Sequence, residues 1–187
     1  MKLSRLTASL LLTGLALCVV PARADFVAEA ILDGAQETPP TGSPGTGMAT
    51  FTYSSAAQDL TYSVAFQNLV APAVMAHIHL APPGVPGPII FPLTNEGPPS
   101  ATSGTFGGIL TAADLTPAGS ITTFAEAIAA LEAGDTYINI HSTQFPAGEI
   151  RGQINVTPEP ATLGLVGAVL SLGYFARRRR ANRNSKV

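Results

Sequence analysis

Three observations predict an all-β domain, a sandwich or small barrel with one short helix. Apolar and polar residues alternate with a period of two in several runs, clusters of Gly, Pro and Ser separate those runs, and one segment alone repeats at helical spacing. The clearest run is 60–67, where Leu60, Tyr62, Val64 and Phe66 alternate with Thr61, Ser63, Ala65 and Gln67. Side chains on a strand point to opposite faces in turn, so this run has one apolar and one polar face. Further strands are expected at Phe26–Leu32, Gly47–Tyr53, Met75–Leu80, Ile89–Leu93, Thr105–Leu110, Thr136–Ser142 and Glu149–Val156. The breaks "TPPTGSPGTG", "APPGVPGP" and "NEGPPSATSG" fall between them. The helix begins at Thr123, which with Glu126 makes a capping box, carries Phe124, Ile128 and Leu131 on one side, and ends at Gly134.

Both ends of the 187-residue chain read as targeting segments, leaving 25–156 as the β domain. At the N-terminus Lys2 and Arg5 precede the uncharged run Leu6–Val20, and Ala22-Arg23-Ala24 gives the small-x-small pattern that signal peptidase accepts. Cleavage after Ala24 makes Asp25 the first mature residue, and residues 1–24 form the signal helix. The single cysteine, Cys18, follows Leu17 rather than a small residue, which excludes a lipoprotein signal. Once the signal is removed no cysteine remains to form a disulfide.

At the other end Pro158-Glu159-Pro160 is a stiff, extended start. Residues 161–176 carry no charge, and Arg177, Arg178, Arg179 and Arg180 follow at once within a basic tail over 177–187. Sixteen helical residues reach about 24 Å at ~1.5 Å each, short of a hydrocarbon core roughly 30 Å thick. Snorkelling arginines and local thinning make up the difference, and the arginines stay cytoplasmic. The stretch "TPEPATLGLVGAVLSLGYFARRRR" resembles the PEP-CTERM sorting signal of Gram-negative bacteria in all three parts. That resemblance implies recognition at Pro158, Glu159 and Pro160 by an exosortase, a membrane-anchored precursor, and transfer to the cell surface or extracellular matrix. A permanent anchor that is never cut is the alternative.

The formal net charge of −2 hides an asymmetry. Between Asp25 and Thr157 stand eleven acids and one base, Arg151, a net −10. Such a surface repels phosphate backbones and excludes nucleic acid as a partner, while it attracts cations. Walker loops, dinucleotide fingerprints, G-x-S-x-G elbows and HExxH helices are absent from the sequence.

Three stretches carry a second resemblance: "LDGAQETPPTGSPGTGMATF", "MAHIHLAPPGVPGPIIFPL" and "YINIHSTQFPAGEIRGQI". Together they are similar to the chordin-type (CHRD) domain, and the match covers nearly all of 25–156. The resemblance implies an immunoglobulin-like or barrel-like β fold and no particular activity.

All three histidines, His77, His79 and His141, lie inside those stretches. Ile78 and Leu80 share one strand face with His77 and His79 on the other; Ile138 and Ile140 share one with Tyr137, Asn139 and His141 opposite. If the isoleucines enter the core, every histidine faces away from it. His-x-His on a strand with a third histidine nearby suits copper or zinc. It is similar in kind to the copper site of superoxide dismutases, a β fold of the same class, but a fourth, bridging histidine is missing. Shared ligation requires imidazole nitrogens about 3–4.5 Å apart. If every nitrogen is instead bonded to a backbone carbonyl, the histidines serve the loops that follow them.

Glu37, Glu149 and Arg151 lie in the same motifs, and a sole base among eleven acids is expected to find a carboxylate and join a strand to a loop. The function that follows is an exported, non-catalytic binding or structural module, binding polysaccharide, protein or cations. The alternative is a copper or zinc redox protein using His77, His79 and His141.

Overall fold

A computed structural model describes residues 24–93 and 97–157. The secretion segment, Pro158-Glu159-Pro160, the apolar run 161–176 and Arg177–Arg180 lie outside the described residues.

Nine strands form one antiparallel sheet: β1 Phe26–Asp33, β2 Thr46–Ser54, β3 Asp59–Gln67, β4 Ala73–Leu80, β5 Ile89–Pro92, β6 Gly104–Leu110, β7 Thr136–Ser142, β8 Ile150–Gln153 and β9 Asn155–Thr157. Their spatial order is β5-β4-β7-β8-β1-β2-β3-β6, with β9 on β1, and the sheet curls into a nearly closed barrel. Among the described residues the expected all-β class with one helix is what forms. A single strand was expected over Glu149–Val156; the chain makes two. β8 pairs with β7 and touches β1 at Asp33↔Arg151, whereas β9 pairs only with β1. Ile154 sits between them, fully buried, where the chain changes partner.

Alternation decides what fills the barrel. Leu60, Tyr62, Val64 and Phe66 of β3 are buried while Thr61, Ser63, Ala65 and Gln67 are exposed. Ile78, Ile138, Ile140 and Ile150 enter the same core from β4, β7 and β8, beside Leu32 and Phe51. Helix α1, Phe124–Glu132, lays Phe124, Ala127, Ile128 and Leu131 against it. Both halves of the Thr123–Glu126 capping box form, and the two threonines at the start draw Glu126 down to a pKa of about 2. Gly134, at φ 75°, takes the left-handed conformation that ends the helix.

Candidate functional site

β4 and β7 are neighbours, which brings the two histidine motifs together. The register places His77 opposite Asn139 and Asn139 opposite Arg151. With Asp33 across from Arg151, a polar row runs over β4, β7, β8 and β1 on the side away from the core. Next to it His79 faces Tyr137, and Tyr137 faces Gln153.

That side is not open to water. His77 and His79 are each 8% exposed, His141 6%, Asn139 2% and Arg151 2%. The expectation that the histidines point away from the core holds for direction, but loops cover them and make a second, polar layer. The loop after β4 lays Gly87 O on His79 Nδ1 at 2.8 Å. A Cβ at Gly87 would strike the Leu80 carbonyl, so only glycine permits this approach. The loop after β7 lays Pro146 O on His141 Nδ1 at 3.0 Å. From the loop after β1, Thr38 Oγ1 accepts from Arg151 Nη1 at 3.1 Å, and from the loop after β4 Pro82 O accepts from Nη2 at 3.2 Å. The guanidinium lies 3.4 Å from the centre of the Tyr137 ring, and His79 stacks on the same residue, centroids 4.7 Å apart.

The imidazoles converge. His77 Nδ1 lies 3.0 Å from His141 Nε2, and Asn139 Oδ1 lies 3.1 Å from both His79 Nε2 and His141 Nε2. One nitrogen from each histidine falls within 4.8 Å of the other two. That lies just beyond the range of about 3–4.5 Å for shared ligation, so an ion would have to draw one ring inward. The nitrogens are divided in use: two Nδ1 atoms serve the loops, while their Nε2 atoms face the cluster. Burial pushes His77 down to about 4, helped by the other two rings. Burial also lowers His79 and His141, against the pull of the Gly87 and Pro146 carbonyls. All three are therefore neutral near pH 7.

Glu37 borders this cluster. Burial raises its pKa, while Arg151, the Thr38 backbone and the Asn139 amide favour the ionised form. Its Oε1 has no hydrogen bond of good geometry. The expected contact between Arg151 and a carboxylate is thus not direct: the guanidinium bonds a hydroxyl and a carbonyl, and Glu37 acts on it through space. The union of strand and loop is made all the same. Glu149 stands apart from the histidines. Fully buried, it accepts from Ser43 Oγ at 2.7 Å and Val70 N at 2.6 Å, tying the loops after β1 and β3 to the start of β8.

Sequence reasoning did not nominate Asn139 or Tyr137 for a role. Their signal was present, since both occupy the same alternate face as His141 in "YINIHS".

The CHRD domain family model matches residues 28–154, and the PEP-CTERM protein-sorting motif matches 156–180. No curated protein and no solved structure matches the chain significantly.

Proposed function

Because the chain belongs to the CHRD-domain family and carries a PEP-CTERM motif, the mark of an exported protein processed by an exosortase, we propose that it works at the cell surface or in the extracellular matrix as a non-catalytic binding module. One observation carries this reading. The polar side chains of the family motifs are spent on loop backbone: His79, His141, Arg151 and Gln153 all reach carbonyl oxygens of the covering segments. A scaffold needs that use, and it leaves those groups no nucleophile to activate. Beside the layer lies a cleft of about 250 Å³, lined among others by Gln36, Thr38, Pro83 and Gln153. With a domain charge of −10, the favoured ligand is a neutral polysaccharide. Retention of the full chain on matrix polysaccharide fractions and on DNA tests this. Retention on a neutral fraction and none on DNA is expected; passage through every fraction overturns it. For sorting, Glu159→Ala in an exosortase-bearing host should accumulate the precursor, and unchanged processing would make 158–187 a plain anchor.

A second reading, a bound copper or zinc ion at His77, His79 and His141, rests on the convergence of three neutral imidazoles. Metal analysis of chain purified without a histidine tag is the check. One ion per chain, lost in His79→Ala, supports it; a metal-free chain that takes up none on titration removes it.

A further inference from the structure

As placed, the groups around Asn139 set acceptor against acceptor. Gly87 O and Pro146 O can only accept, so His79 and His141 each carry their proton on Nδ1. In a neutral ring the other nitrogen, Nε2, then holds a lone pair. Both Nε2 atoms face Asn139 Oδ1 at 3.1 Å, and Oδ1 is also an acceptor. Three acceptors therefore meet, and the one proton available to them is that of His77 Nδ1, already directed at His141 Nε2. Acceptors held this close in a buried place repel one another unless a positive charge lies between them.

Turning the amide over would put Nδ2 against the two lone pairs. It would also put Oδ1 against Glu37, a second acceptor while that carboxylate is ionised. The amide nitrogen lies on the Glu37 side, since a Cβ at Gly148 would meet both Glu37 Oε1 and Asn139 Nδ2. Gly148, at φ 130°, leaves the space in which carboxylate and amide come together.

We infer that Asn139 Oδ1 is a fourth ligand, completing with His77, His79 and His141 a three-nitrogen, one-oxygen site for a borderline transition-metal dication, and that Glu37 is a positioning residue that holds the amide oxygen inward. This rests on the second reading of function above. The proton between His77 and His141 leaves to solvent when the ion enters. The Gly87 and Pro146 carbonyls orient two of the rings from behind, as outer partners of metal-bound histidines do.

Titration of the full untagged chain with Co²⁺, followed by its visible absorption, and competition with Zn²⁺ test the inference. Wild type should bind one ion with the intense absorption of a four-coordinate site. Asn139→Ala should bind about 10–100-fold more weakly with an altered spectrum, and Asn139→Asp should restore binding. Glu37→Gln, whose own amide can turn Asn139 over, should weaken binding with less spectral change. If Asn139→Ala does not fold, Asn139→Asp decides: a charged oxygen ligand should shift the Co²⁺ spectrum and tighten binding, and affinity and spectrum equal to wild type overturn the fourth ligand. No uptake by wild type sinks the metal reading itself. Uptake by wild type that is lost in His79→Ala but unchanged in affinity and spectrum in Asn139→Ala overturns the fourth ligand and leaves that reading standing. Binding by Glu37→Gln equal to wild type overturns its positioning role.

Discussion

β3 and β7 have the same alternating grammar and opposite fates. In β3 the residues between the core positions, Thr61, Ser63 and Gln67, meet water. In β7 the residues between Ile138 and Ile140 are as buried as the isoleucines, and all seven positions of the strand are covered. The difference lies in the residue types. Small hydroxyls need nothing but solvent. Tyr137, Asn139 and His141 are large and offer directional groups, and the loops beside two of them supply backbone partners, the Gly87 N–H donating to the Tyr137 hydroxyl and Pro146 O accepting from His141. An alternating strand thus states which face is apolar and leaves open whether its other face is wet.

Substitutions on the two strands sharpen that contrast. The largest effect belongs to the shared core: Ile138→Ala should cost about 4 kcal/mol in denaturant unfolding, and Val64→Ala in β3 somewhat less, because both leave cavities. Next comes the covering layer. Arg151→Ala removes the stack on Tyr137 and the bonds to Thr38 and Pro82, and leaves Glu37 buried without its neighbouring charge. A loss of about 3 kcal/mol is expected. If it costs no more than a surface change, the layer contributes nothing and β7 is no different from β3.

Acid comes third. His77 has a folded pKa of about 4 against 6.5 for a free ring. The unfolded chain therefore binds more protons in that interval, and stability falls as pH drops from about 6.5 towards 4. For a ring with some contact to water the loss should be on the order of 2 kcal/mol. His77→Gln should flatten this slope in chemical unfolding at pH 7 and pH 4.5; an equally steep slope in the variant would assign it to other groups. The smallest effect is at the wet face of β3, where Ser63→Ala should shift stability by about 0.5 kcal/mol or less.

Much of this architecture was legible. β7 has the expected bounds, and the capping box at Thr123 and Glu126 forms as the sequence implies. These features depend on neighbours within a few residues. The break at Ile154 was not legible, because alternation continues smoothly through a change of pairing partner. Nor was the adjacency of β4 and β7, whose motifs lie some sixty residues apart and whose pairing is decided by the closure of the whole barrel. The three histidines were visible as residues, and their outward direction followed from Ile78, Ile138 and Ile140. Their burial was not, since it depends on where three irregular loops come to rest. Asn139 was passed over because an amide between two isoleucines reads as an ordinary outward residue until its oxygen is placed.

The covering layer links chain positions far apart: Arg151 to Thr38 across 113 residues, and Glu149 to Thr41 and Ser43 across 108 and 106. In many small exported domains such long loops are closed by sulfur. Here nothing between Asp25 and Thr157 can form that bond. Folding after export then requires no oxidase and no isomerase to sort pairings, and a reducing or anaerobic milieu outside the cell cannot unfasten the loops. The trade is in kind of vulnerability: the fastening is indifferent to redox potential and sensitive to acid, and it is against acidification that a protein of this design must be sheltered.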